Sequence, residues 1–150
     1  MQIRALLASD RAAWKPLWDG YLRFYGTSAG PGVTDTTWAR IHDPAEPVNA
    51  LGAFTPGDDG SERLVGIVHY IFHRSTWTVG PYCYLQDLFT AEEARGRGAG
   101  RALIEAVYAR AAEAGASRVH WLTHESNSTA RTLYDTLAER PGFIQYRKLL

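Results

Sequence analysis

Residues 95–101 read Arg-Gly-Arg-Gly-Ala-Gly-Arg, with Gly96, Gly98 and Gly100 alternating with Arg95, Arg97, Ala99 and Arg101. Glycine lets backbone N–H groups come close to a ligand, because no Cβ stands in the way. The stretch that follows carries Leu103, Val107 and Ala111 four residues apart, which predicts a helix ending near Gly115. A helix start offers unpaired N–H donors and a partial positive charge. A glycine loop, a helix start and three guanidinium groups together can hold a phosphate. The plainer reading of so short a motif is a solvated basic turn.

The spacing excludes two phosphate-binding patterns. No Gly-Lys-Ser/Thr follows the loop, so it is not a P-loop. Counted from Gly96 the third glycine of a dinucleotide fingerprint would fall on Arg101, and counted from Gly98 on Leu103. Other chemistry-bearing residues have ordinary readings beside the sharper ones. His120 and His124 are four apart, but on a strand four residues span about 13 Å, which excludes the helical metal-chelating geometry. His73 follows a predicted strand and precedes Arg74, and it reads as a surface loop histidine beside the sharper reading of a cleft residue. Asp19, Asp35, Asp87 and Glu125 are acids available to meet a cation, and each also reads as a surface or capping acid. The aromatic run Trp14, Trp18, Tyr21, Tyr25 has helical spacing and reads mostly as core. Tyr134 shares an apolar helix face with Ala130, Leu133 and Leu137, and Cys83 reads as a buried strand residue.

The elements that must position these residues follow from pattern. Ile3 to Leu7 predicts a strand, and Ser9 or Asp10 can cap the aromatic helix after it. The glycine-rich stretch 26–32 breaks the chain before a short helix over Asp35 to Ile41. Asn49 to Thr55 and Arg63 to Phe72 predict a hairpin around the PGDDG turn. Tyr82 to Thr90 and Ser117 to Thr123 predict strands on either side of the glycine-loop helix. Asn127 or Ser128 opens the helix of Tyr134, and Phe143 to Lys148 predicts a last strand after Pro141-Gly142.

Length and composition bound the answer. The chain has 150 residues, 45% hydrophobic and 21% charged, which predicts one globular domain over 1–150. Sixteen Lys and Arg balance sixteen Asp and Glu, which argues against nucleic acid as a partner bound over a broad basic face. One cysteine excludes an internal disulfide. The absence of a long apolar run argues against a membrane span, and the charged first residues against a secretion signal, so a cytoplasmic place is expected.

With strand, loop and helix in this order, the chain resembles the GNAT superfamily of acetyl-CoA-dependent N-acetyltransferases. Arg95-Gly96-Arg97-Gly98-Ala99-Gly100 fits that family's Arg/Gln-x-x-Gly-x-Gly/Ala loop. Asn127 at a helix start, Tyr134 seven residues on and Gly142-Phe143 before a strand form a second family-like block. The resemblance implies an α/β fold with a mixed, mostly antiparallel sheet of six or seven strands flanked by helices. It implies acetyl-CoA as cosubstrate and no metal. Leu88, Phe89 and Thr90 would bond the pantetheine arm, Arg95 to Arg101 the pyrophosphate, and Asn127 and Ala130 would lie by the cofactor. Tyr134 would be the general acid for the departing thiolate, since a phenol stays protonated at neutral pH. A homodimer is also implied.

Tyr84 to Thr90, YLQDLFT, is similar to the small-amine branch that includes spermidine/spermine and thialysine acetyltransferases. Gln86 and Asp87 would then bind the acceptor, a small-molecule or peptide amine. That branch has Glu where this chain has Gln86, and an amide can neither carry the charge nor act as a base. The change puts polyamine acetylation in question and leaves a non-catalytic CoA-binding module as the alternative.

Overall fold

The strand-like segments pair into one five-stranded sheet in the computed structural model, which describes residues 1–150. The strands are β1 (Gln2–Ala5), β2 (Val48–Pro56), β3 (Glu62–His73), β4 (Tyr82–Thr90) and β5 (Val119–His120), side by side in that order. The first three pairings are antiparallel, and β4 with β5 is parallel. The helices are α1 (Arg11–Phe24), α2 (Val33–Ile41), α3 (Ala99–Glu113) and α4 (Ser128–Leu137).

Strand alternation sorts the side chains onto two faces. Leu51, Ala53, Val65, Val68, Cys83 and Leu85 meet Leu103, Ile104, Val107 and Ala111 of α3 on one face. Ala50, Phe54, Leu64 and Ile67 meet Trp14, Leu17 and Trp18 of α1 on the other. Helix α1 comes close to β4: a Cβ on Gly20 would stand 2.9 Å from the Phe89 ring. At its start Asp10 does not cap the helix through its side chain. Its carboxylate instead accepts from the Leu7 N–H and the Arg4 guanidinium, each at 2.7 Å. No helix is long and apolar enough to cross a membrane.

The sheet differs from the expected six or seven strands at its C-terminal side. Of Ser117 to Thr123 only Val119 and His120 pair, because β4 and β5 meet at Cys83↔Val119 and Tyr84↔His120 and then part. Phe143 to Lys148 is not a strand. A strand needs a neighbouring backbone to take its hydrogen bonds, and residues 138–150 run without regular structure, leaving Phe143 81% and Tyr146 90% exposed.

One irregularity bears on the site. The β3–β4 register steps from Tyr70↔Leu85 to His69↔Asp87, so Gln86 has no partner and forms a β-bulge. The bulge lies where β4 begins to leave β5.

Candidate active site

Past Tyr84 the β5 side of β4 has no neighbour, while Leu88, Phe89 and Thr90 stay paired to β3 through Val68, Ile67 and Gly66. Their backbone is thus anchored on one side and open on the other. The loop after them supplies the other wall of the gap. Gly96 and Gly98 have φ of 73° and 83°, a region that side chains disfavour, and a Cβ on either would meet nothing within 4 Å. Gly98 stands at the N-cap of α3 and no side chain caps the helix. The first N–H groups of a 15-residue helix therefore open toward the loop, as an anion site requires. Ala99 is buried in the core and anchors the turn, while Gly100 is half-buried. Arg95 and Arg97 are exposed, with the Arg95 guanidinium 6.0 Å over the Phe89 ring. Arg101 donates to Thr136 Oγ1 at 2.8 Å, tying α3 to α4.

That tie places Tyr134. Leu133 lies 3.4 Å from where a Cβ of Gly100 would be, and Tyr108 Oη donates to the Leu137 carbonyl at 2.9 Å. Tyr134 packs edge-on to Trp121, with centroids 5.4 Å apart, and shares the α3-side core with Leu88. Burial above all, and next the neighbouring Tyr25 phenol, which repels once ionised, push its pKa up to about 12. It is therefore a protonated donor at any physiological pH. Asn127 precedes α4, but its amide donates to Thr123 Oγ1 at 3.2 Å instead of capping the helix. Ala130, one turn on, is half-buried.

The other face of β4 carries a second set of groups. Asp87 is 8% exposed and faces α1. Burial first, and then the Asp87 charge, raise the pKa values of Tyr21, Tyr25 and Tyr84, so three phenols lie within reach of this carboxylate's field. Tyr21 and Tyr25 rings lie 4.9 Å apart, and Tyr25 lies 6.0 Å from His124. A cavity of about 330 Å³ opens there, lined by Phe24, Tyr25, His124, Ser126 and Asn127. Tyr25 thus joins the Asp87 side to the Tyr134 side. Gln86, on the bulge, is exposed.

Several expected candidates stand elsewhere. His120 pairs with His73, Nε2 to Nε2 at 3.0 Å, rather than with His124, and burial lowers its pKa, helped by His73 and Arg118. Asp19 pairs with Lys15 and Asp35 with Arg11 on the surface. The sequence reading missed His69 and undervalued Tyr21 and Tyr25. The available signal was a lone histidine inside the apolar run LVGIVHYIF, opposite the one buried acid of the next strand.

The model of the acetyltransferase (GNAT) family matches residues 14–138, which takes in both walls of the gap and Tyr134. The chain belongs to the GNAT family. This acetyltransferase is 36% identical over 146 residues to the D-amino-acid N-acetyltransferase HPA3 of Saccharomyces cerevisiae, covering 97% of this chain and 89% of that one. It is 36% identical over 85 residues to the thialysine N-epsilon-acetyltransferase of Sus scrofa, covering 57% of this chain and 49% of that one. A solved structure of a probable acetyltransferase superposes with a TM-score of 0.85 at 22% identity, covering 100% of this chain and 98% of that one. An aminoglycoside acetyltransferase from a soil metagenome superposes at 0.78 and 17%, covering 99% and 96%. These last two likenesses speak to the fold.

Proposed function

We propose that this GNAT enzyme transfers the acetyl group of acetyl-CoA directly to the primary amine of a small amino-acid-like acceptor, with both substrates bound together. The observation that carries this reading is the parting of β4 from β5 beside the uncapped start of α3, with Tyr134 packed on the same core. Acetyl-CoA supplies the thioester. The open backbone of Leu88, Phe89 and Thr90 holds its pantetheine arm, and the N–H groups from Gly96 to Arg101 hold the pyrophosphate. Arg95 and Arg97 add charge there, and Asn127 and Ala130 flank the arm. A backbone N–H at Leu88 or Phe89 steadies the oxyanion, and Tyr134 gives its proton to the departing sulfur. Asp87 binds the acceptor's ammonium, and Gln86 orients water that carries the amine's proton to solvent.

The acceptor class draws support from two named relatives, a D-amino-acid and a thialysine acetyltransferase, whose substrates are amino acids. Polyamines rank lower, because Gln86 offers no charge for a second ammonium. The test is release of CoA thiol across D- and L-amino acids, lysine analogues, spermidine, aminoglycosides and basic peptides. Turnover confined to amino acids is expected. Binding of CoA without thiol release from any acceptor would convert the reading into a non-catalytic CoA-binding module.

We also place the enzyme as a homodimer. Support comes from the C-terminal segment, whose exposed Phe143, Ile144, Tyr146, Leu149 and Leu150 have no cover within the chain. Sedimentation should give about twice the 16.7 kDa of one chain; a monomer at micromolar concentration removes this part.

A further inference from the structure

His69 lies opposite Asp87 in the β3–β4 ladder, and both are buried, at 2% and 8% exposure. Its Nδ1 is 2.9 Å from Asp87 Oδ2. Its Nε2 is 2.9 Å from Trp14 Nε1, on a tryptophan with no exposed surface. An indole N–H can only donate. Nε2 must therefore accept, the ring proton must sit on Nδ1, and Nδ1–H must donate to the carboxylate. The ring is boxed in that orientation by Trp14 and Trp18, at centroid distances of 5.9 and 5.3 Å, and Trp14 is itself held against Trp38 at 4.7 Å.

This arrangement does more than fill space. Trp14 therefore selects the tautomer with its proton on Nδ1 and fixes the ring, so that Nδ1–H orients the carboxylate. The groups that face the pair are Asp87 itself and Tyr84 from β4, and Tyr21 and Tyr25 from α1. None of the three phenols carries a charge near neutral pH. The carboxylate thus stays available to a cation arriving from the tyrosine-lined side.

We infer that His69, clamped by Trp14, is a positioning residue that holds Asp87 aimed at the acceptor's ammonium. The inference rests on the reading above that Asp87 binds the acceptor. It predicts effects on KM for the amine, with kcat and KM for acetyl-CoA little changed.

Three variants and one spectroscopic measurement test it. His69→Phe keeps the ring volume but removes the donor, and KM for the amine should rise about ten- to hundredfold, the worth of a hydrogen bond to a charged group. His69→Asn keeps an amide donor near the Nδ1 position and should recover much of that loss. Trp14→Phe frees Nε2, so the ring loses its fixed orientation and KM for the amine should rise by part of the His69→Phe loss. In the wild type, a 15N spectrum should show the His69 ring proton on Nδ1, and Trp14→Phe should lose that signature.

A ring proton found on Nε2 instead of Nδ1 of His69 in the wild type overturns the inference, with no variant needed. So does an unchanged amine KM in folded His69→Phe and Trp14→Phe. The underlying reading fails separately, through Asp87→Asn: an unchanged amine KM there means Asp87 is not the acceptor's anchor. A raised KM in Asp87→Asn alone leaves Asp87 in place and removes His69.

Discussion

Replacing Tyr134 by Phe should leave the fold intact and slow acetyl transfer about 10²- to 10⁴-fold, the usual worth of a general acid. The ring keeps its edge-on contact with Trp121 at 5.4 Å and its place beside Leu133 and Leu137. Stability should change by no more than about 0.5 kcal/mol. The rate effect follows from the acidities. In water a phenol titrates near about 10 and a thiol near about 8.5. Burial pushes Tyr134 up to about 12, so it keeps its proton until a thiolate develops beside it. The assay is single-turnover acetyl transfer, with acetyl-CoA affinity measured alongside. The loss should shrink for thioesters of more acidic thiols, which depart with less help. Because Tyr134 stays protonated up to about pH 12, its loss of a proton cannot produce a basic limb at lower pH; any such limb must persist in the variant. Wild-type single-turnover rates in Tyr134→Phe would refute the general-acid role. A loss equal for good and poor leaving groups would make Tyr134 a residue that positions the cosubstrate.

Two further outcomes are expected. Gly98→Asp places a negative side chain at the start of α3, at a φ of 83° that disfavours any side chain. Affinity for acetyl-CoA should fall at least about tenfold, or about 1.4 kcal/mol, and unchanged affinity in a folded variant would remove the glycine loop from the cosubstrate site. Gln86→Glu puts a charge on the exposed bulge and should raise kcat/KM for spermidine. No gain would place residue 86 outside the acceptor cleft.

The glycine loop and the helix starts beside it were legible because their information is local. A glycine at positive φ, a helix start without a capping side chain and a tyrosine seven residues into the second block all lie within short stretches of chain, and Arg95–Arg101 and Asn127–Tyr134 sit where their spacing implied. The C-terminal strand failed for the opposite reason. Phe143–Lys148 has strand-forming residues, but a strand is a property of two backbones, and the second is absent from this chain's own sheet.

The polar pair on the α1 face was hidden by a single residue of register. Had β3 and β4 paired without interruption, Tyr70↔Leu85 would have been followed by His69↔Gln86, with no carboxylate for His69 to orient. The bulge at Gln86 moves Asp87 opposite His69 instead, and puts the carboxylate on the α1 face among Tyr21, Tyr25 and Tyr84. The run YLQDLFT therefore identifies the strand but not which of its polar residues is buried. The departure from the branch's usual Glu at position 86 looked like the loss of the charged acceptor group. With the bulge in place, the buried charge beside α1 belongs to Asp87, and exposed Gln86 can vary without disturbing the Trp14–His69–Asp87 chain.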